Sequence, residues 1–326
     1  MLTSPVVREN TRAAPRKPKP SFRLFDVSVA RLTPLSATFL RVTFTGDDLN
    51  EFGTVGLDQR VKVILPLPGI GISELPDGQD WYIAWRNLPE EARNPIRTYT
   101  VRAVRQADRE IDIDFVLHGD AGPASRWVSS AVVGDKLMIV GPDALGEDPR
   151  SGVEWRPGAA DTFLIAGDET AAPAICSILA ALPRTATGCA FIEVPEPSDF
   201  LETDSPAGVQ VTWLARSETR RVDGDTTEGG SGHGSGLAPA VRDWTSRYLT
   251  APAAGAELAD VDIDAGLLWE VPAESTTSGG DGLYAWLAGE ASVIKSLRRF
   301  LVTESGIDRK QVAFMGYWRQ GRSELN

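Results

Sequence analysis

Residues 94–102 read Asn-Pro-Ile-Arg-Thr-Tyr-Thr-Val-Arg. Side chains alternate in direction along an extended segment, so Arg97 and Tyr99 share one face of a strand while Thr98 and Thr100 point to the other. A guanidinium can fork onto a pyrophosphate, a tyrosine ring can lie flat against an isoalloxazine, and Thr100 is suited to donate to the flavin N5/O4 edge. These four residues are therefore candidates for binding a flavin dinucleotide. An amphipathic strand with a solvated polar face would show the same pattern.

A second segment follows the first by about twenty residues. Residues 112–117 alternate polar and apolar, which predicts a strand running into a small-residue turn, and the Gly-Pro-Ala-Ser sequence after it predicts the start of a helix. The first backbone N–H groups of such a helix can bind a phosphate. The cofactor-binding candidates here are His118, Gly122, Pro123, Ala124 and Ser125. An ordinary capped helix and a buried, hydrogen-bonded turn histidine would explain the same residues.

Four segments resemble, in order along the chain, motifs of the siderophore-interacting proteins, which are flavin-dependent ferric-siderophore reductases related to ferredoxin-NADP reductases. They are residues 115–127, 167–174, 286–290 and 316–321. The resemblance spans about residues 21–322. It implies an enzyme that binds FAD and passes electrons from NADPH or NADH to an Fe(III)-siderophore, releasing Fe(II) for intracellular use.

The periodicity of the chain predicts two domains. Residues 1–20 are basic and rich in proline, and we expect a disordered arm. Short alternating segments over residues 21–155 predict an antiparallel β-barrel that binds FAD. Strands alternating with helices over residues 156–326 predict a doubly wound parallel sheet that binds NAD(P)H.

Two stretches interrupt the second half. Residues 217–236 are rich in glycine and serine, which predicts a flexible insert in which His233 is a solvated bystander. Residues 252–281 predict a loop-rich stretch that includes a possible short strand at 267–271.

The nucleotide site is predicted from the ends of strands. Thr170 and the N–H of Ala171 can meet a phosphate at a helix start, whereas Asp168 and Glu169 would repel it unless turned away. N-capping by Asp168 or Thr170 is the alternative interpretation of this turn. Arg216, followed by Ser217, Arg220 and Arg221, favours the 2′-phosphate of NADPH, although a solvated charge run would look the same. By resemblance, Gly289 and Glu290 are expected to lie beside the nicotinamide. Trp318, after the last strand, is expected to cover the flavin or line its approach, and ordinary packing under the terminal segment is the alternative.

The substrate is predicted from charge. Fe(III) is a hard ion whose oxygen ligands hold it more tightly than they hold Fe(II), so its reduction weakens the complex. By resemblance, Lys62 and Arg319 receive an anionic ferric siderophore, and a surface ion pair is the alternative for Lys62.

Composition restricts the remaining possibilities. The net charge of −12 argues against a nucleic-acid or anionic-membrane surface. The two cysteines, Cys176 and Cys189, have no metal-binding spacing and are expected to be buried hydrophobic residues. With neither a signal peptide pattern nor an apolar run of about 18 residues, we expect a cytoplasmic monomer. Two alternatives stay open: a flavoprotein that takes electrons from ferredoxin, and a non-catalytic siderophore-binding flavoprotein.

Overall fold

Six antiparallel strands close into a barrel in the N-terminal half of the computed structural model. The strands are β1 (Phe22–Pro34), β2 (Phe39–Thr45), β3 (Arg60–Ile64), β4 (Ile96–Arg105), β5 (Glu110–Val116) and β6 (Lys136–Pro142). Their order around the barrel is β1-β2-β5-β4-β3-β6. Inward-pointing Phe25, Phe44, Val63, Ile113 and Phe115 form its buried core, as alternation along each strand predicts.

The structure describes residues 20–53, 55–78, 80–117, 122–148, 150–223, 232–249, 268–272 and 282–321. The predicted site residue His118 and almost all of the predicted disordered arm lie outside these ranges. The helices of the barrel half are α1 (Trp81–Arg86), α2 (Pro123–Ser130) and 3₁₀ turns at Leu49–Glu51, Glu90–Ala92 and Gln106–Asp108.

A six-stranded sheet forms the second half of the molecule. Its strands are β7 (Thr162–Gly167), β8 (Thr187–Val194), β9 (Gly208–Ala215), β10 (Trp269–Glu270), β11 (Leu283–Glu290) and β12 (Val312–Trp318), in the order β10-β12-β11-β7-β8-β9. Five strands are parallel, as predicted, but β10 pairs antiparallel with β12, so the sheet is mixed. Two residues at an edge can pair in this direction without the crossover that a parallel strand needs.

Helices cover both faces of this sheet. They are α3 (Ala172–Ala181), α4 (Arg216–Asp223), α5 (Leu237–Tyr248) and α6 (Ala291–Arg298), with a π-helical continuation at Arg299–Glu304 and 3₁₀ turns at Pro197–Asp199 and Arg309–Gln311. Strand β7 sends Phe163 and Ile165 into one core and Leu164 and Ala166 into the other, which is the doubly wound arrangement. Among the described helices, none has both the length and the apolar character to cross a membrane.

Two details of the second half bear on the sequence predictions. The insert predicted to be flexible is partly helical, because α4 continues to Asp223 and glycine first occurs after that residue. Residues 224–231 lie outside the described ranges. Cys176 and Cys189 are free and buried, as predicted.

Two buried carboxylates join the barrel to the second sheet. Asp58, just before β3, accepts from Nε1 of Trp286 in β11 at 3.1 Å and from the backbone N–H of Trp155 at 3.1 Å. Asp199 accepts from the hydroxyls of Ser36 and Thr38 in the β1–β2 connection at 2.7 and 2.8 Å. The carboxyl edge of the second sheet is thereby held in a fixed relation to the barrel.

Candidate functional site

The four residues predicted from the first motif lie on β4, beside β3. The register places Val61 opposite Tyr99 and Lys62 opposite Thr98, so Thr98 and Tyr99 point to opposite sides of the strand. Lys62 is exposed, and its Nζ donates to Oγ1 of Thr98 at 2.5 Å. Thr100 is almost completely buried.

Arg97 and Tyr99 are half-buried on the same strand. Nη1 of Arg97 donates to the carbonyl of Ile96 at 2.8 Å, which fixes one arm of the guanidinium. The ring of Tyr99 lies 4.4 Å from that of Phe115, centroid to centroid, and so rests on the barrel core. The Arg97 guanidinium and the Tyr99 ring are therefore both held by contacts with the barrel.

The second motif forms the start of α2. Gly122 is extended, Pro123 is the first helical residue, and no side chain caps the helix. Among the described residues, nothing lies within 4 Å of the position that a Cβ would take on Gly122. Ala124 is buried beneath it and Ser125 is half-buried.

The two motifs meet through Phe115. Trp127 of α2 packs against Phe115 at 5.9 Å, on the same residue that supports Tyr99. An anchored guanidinium, an aromatic ring and an uncapped helix start thus occur on adjoining elements of the barrel. This donor set fits a flavin dinucleotide, because it offers a cation and backbone N–H groups for the pyrophosphate and a ring for the isoalloxazine.

Asp168 follows β7 and turns inward. Its Oδ1 accepts from the backbone N–H and the hydroxyl of Thr170, and its Oδ2 accepts from the N–H of Glu290 and from Nε1 of Trp318, both at 2.8 Å. Burial raises the pKa of the Asp168 carboxyl above its usual range, and the adjacent Glu169 carboxylate raises it further. Asp168 and Thr170 were predicted as cofactor contacts, but in this structure they bind each other and the neighbouring strand ends.

The turn at the end of β11 is shaped by that carboxylate. Gly289 has φ of +150°, and a Cβ at this position would lie 2.7 Å from Oδ2 of Asp168. Glu290 caps α6, since its Oε2 accepts from the N–H groups of Ser292 and Val293 at 2.7 and 3.1 Å. In the turn predicted to lie beside the nicotinamide, the backbone of Gly289 therefore approaches the Asp168 side chain closely, and the buried Glu290 caps α6.

Arg216 begins α4 directly after β9 and is buried. Its Nη1 and Nη2 donate to the two oxygens of Glu169 at 2.6 and 2.8 Å, and Nη1 lies 3.5 Å from Oε2 of Glu193. Ala171, which was predicted to offer its N–H to a phosphate, instead donates it to the carbonyl of Asp168 at 2.9 Å. Arg216, which was predicted to bind the 2′-phosphate, thus binds two carboxylates of the chain itself.

Trp318 ends β12, and the half-buried Arg319 follows it. The rings of His233 and Trp318 pack edge to face, with their centroids 4.8 Å apart, and one ring nitrogen of His233 lies within 4.8 Å of carboxylate oxygens of Asp168 and Glu169. Desolvation lowers the pKa of His233. The prediction that His233 is a solvated bystander is wrong, because the turn that carries it folds back over the carboxyl edge of the sheet.

Sequence reasoning missed two members of this edge. Glu169 binds Arg216 through both of its oxygens, and no local pattern predicts this pair. Glu193, at the end of β8, accepts from the N–H groups of Gly234 and Gly236 at 2.7 and 2.8 Å, which no local pattern predicts either. A weak signal existed, since the acidic residues Asp168, Glu193 and Glu290 at the ends of strands require donors when they are buried.

Two family models match the chain. One, described as "Siderophore-interacting FAD-binding domain", matches residues 28–145, and the other, described as "Siderophore-interacting protein", matches residues 160–321. The first covers nearly all of the barrel, and the second covers the mixed sheet.

Similar proteins match across both halves. The chain is 30% identical over 302 residues to the ferric vibriobactin reductase ViuB of Vibrio cholerae, covering 93% of this chain and 91% of that protein. It is 27% identical over 312 residues to the NADPH-dependent ferric-chelate reductase of Escherichia coli, covering 95% and 98%. The crystal structure of a siderophore utilization protein from T. fusca has a TM-score of 0.64 and 28% identity, covering 94% of this chain and 96% of that chain.

Proposed function

The chain belongs to the siderophore-interacting protein family, and we propose that it is an FAD-dependent reductase of ferric siderophores that uses NADPH or NADH as its donor. The observation that supports the proposal is the meeting of Tyr99 and α2 at Phe115, which brings the residues proposed to bind the flavin onto adjoining elements of the barrel. The names of the Vibrio cholerae and Escherichia coli relatives support the ferric substrate. We further propose that residues 21–155 bind FAD and residues 156–326 bind the donor.

The residues of the two barrel motifs have proposed roles in binding FAD. Arg97 and the N–H groups of Ala124 and Ser125 hold the pyrophosphate, and Tyr99 orients the isoalloxazine ring. Thr100 would donate to the flavin edge. FAD, when bound, supplies the conversion between two-electron donation by a nicotinamide and one-electron reduction of Fe(III). No protein acid or base is needed, so the residues of the site serve to bind and orient.

We propose that positively charged side chains attract the substrate to the site. Lys62 is exposed on β3, and its ammonium lies on the face of β4 that carries Thr98, the face opposite to that of Arg97 and Tyr99. Arg319 adds a guanidinium after β12. In a chain of net charge −12, such cations favour the approach of an anionic ferric complex at these points.

Anaerobic kinetics on the purified full chain test the proposal. NADPH or NADH is expected to bleach the flavin absorbance, and a ferric siderophore added with a ferrous chelator is expected to give the colour of the ferrous complex. The absence of a ferrous signal would leave a non-catalytic siderophore-binding flavoprotein. Bleaching by reduced ferredoxin but by neither nicotinamide would replace the proposed donor with ferredoxin.

A further inference from the structure

A doubly wound sheet binds a dinucleotide at the carboxyl ends of its strands. In this sheet β7, β8 and β9 are neighbours, with β9 at one side, so their carboxyl ends form one half of that edge. In such sheets an acidic residue binds the ribose 2′-hydroxyl of NADH, or an arginine nearby accommodates the 2′-phosphate of NADPH. Arg216 lies at this edge of the sheet, directly after β9. The choice between the two donors therefore depends on what surrounds this guanidinium.

The guanidinium of Arg216 is already bound on two sides. Glu169 takes both of its terminal nitrogens at 2.6 and 2.8 Å, in the bidentate geometry that a phosphate would otherwise use. Glu169 is completely buried, so withdrawing Arg216 toward a ligand would leave a buried carboxylate without its cation, which is strongly unfavourable.

Glu193 brings a second negative charge to the same point. Its Oε2 lies 3.5 Å from Arg216 and accepts from the N–H of Gly234 at 2.7 Å, while its Oε1 accepts from the N–H groups of Gly236 and Leu237 at 2.8 and 3.1 Å. These N–H groups lie at the start of α5, a helix of 12 residues whose dipole favours an anion there. An internal carboxylate thus fills this helix start, and the turn that supplies the N–H groups covers the strand ends.

The local charge balance follows from these contacts. Two carboxylates, Glu169 and Glu193, share one guanidinium, so the group as a whole is negative. A 2′-phosphate brought to this edge meets net like charge at low dielectric, whereas a ribose hydroxyl does not.

We infer that Glu169 and Glu193 are specificity-determining residues that exclude the 2′-phosphate, so that the donor is NADH and not NADPH. The inference rests on the proposed function, because it concerns the donor of that reaction. It also reverses the sequence-based interpretation of Arg216, which favoured NADPH.

Calorimetry with the two adenosine halves of the donors tests the inference without any redox step. For the flavin-loaded full chain, 5′-AMP is expected to bind at least as tightly as adenosine 2′,5′-bisphosphate. Removing one charge with Glu193→Gln or Glu169→Gln is expected to tighten the bisphosphate about tenfold while changing 5′-AMP by less than about threefold. Glu202→Gln, which removes an exposed charge from the same half, should change neither.

The outcomes separate the inference from the proposed function. A wild-type chain that prefers the bisphosphate, or Glu193→Gln and Glu169→Gln variants that both keep the wild-type ratio of affinities, would overturn the inference and leave the reductase intact. If the variants fail to fold by thermal melting, the preference of the wild-type chain alone decides. If neither NADH nor NADPH bleaches the flavin, the proposed donor class fails and the inference fails with it.

Discussion

Nε1 of Trp286 donates to the carboxylate of Asp58 across 3.1 Å and so ties an inner strand of the second sheet to the barrel. Asp58 is completely buried and also accepts from the backbone N–H groups of Glu154 and Trp155. Three donors from the segment between the two halves and from β11 thus depend on one side chain. The stability of the molecule should be sensitive to it.

We expect Asp58→Ala to lower the free energy of unfolding by about 2–4 kcal/mol, because it leaves buried donors without an acceptor. Asp58→Asn keeps one acceptor oxygen and should lose less. Urea denaturation of the flavin-loaded protein measures both, with the exposed Asp77→Ala as the matched control. If Asp58→Ala behaves like Asp77→Ala, the contact contributes nothing to stability.

Arg97→Ala should reduce flavin affinity. Charge-assisted hydrogen bonds contribute about 1.5–3 kcal/mol, so the dissociation constant for FAD is expected to rise roughly 10- to 100-fold. The ratio of flavin to protein absorbance after purification, and titration of the apoprotein with FAD, measure the change. Arg86→Ala removes an exposed arginine from the same half and serves as the control. Full flavin occupancy in Arg97→Ala would show that the guanidinium does not bind the cofactor.

Lys62→Ala should raise the KM for an anionic ferric siderophore about fivefold, as expected for an exposed charge, and leave the KM for a neutral one unchanged. Lys62→Arg should behave like the wild type toward both substrates because it keeps the charge. Steady-state ferrous-chelator assays at fixed donor concentration give the two constants. An equal rise for charged and neutral substrates would remove the electrostatic role and point to the lost hydrogen bond with Thr98.

The raised pKa of the buried Asp168 carboxyl should make the stability of the protein depend on pH. Its folded-state pKa is raised by burial above the value of about 3.9 for an exposed aspartate. Between these two values the folded state binds a proton that the unfolded state lacks, so this group's contribution to stability is complete below the unfolded pKa and is lost as the pH rises through the folded pKa. The free energy of unfolding of the wild type relative to Asp168→Asn should therefore increase as the pH is lowered from 7.

Urea denaturation at a series of pH values checks this sign. Asp77→Asn, measured in parallel, corrects for removal of a surface charge. The free energy of unfolding of the wild type relative to Asp168→Asn could instead decrease as the pH is lowered. That result would mean that the four hydrogen bonds to Asp168 favour its charged form more than burial disfavours it.

The architecture could be predicted from the sequence because it depends on local patterns. Period-two alternation identified the barrel strands, and apolar runs followed by helices identified the parallel strands around Gly167 and Gly289. The flavin motif was equally local, since Arg97 and Tyr99 are fixed relative to each other by one strand. Residues that act through their immediate neighbours leave a readable pattern.

The carboxyl edge could not be predicted, because its pairs are distant in sequence. Arg216 and Glu169 are 47 residues apart, and only the order of β7, β8 and β9 brings them together. His233 was misjudged for a related reason. A glycine-rich composition predicts flexibility, but it does not show that a buried glutamate, Glu193, binds the turn.

The packing of Phe115 has a consequence for how the sequences of relatives vary. Its ring packs against both Tyr99 and Trp127, so a change in its size would displace both of the elements proposed to bind the flavin. Repacking within such a trio is tolerated when the total volume is kept. We therefore expect these three aromatic positions to covary among relatives.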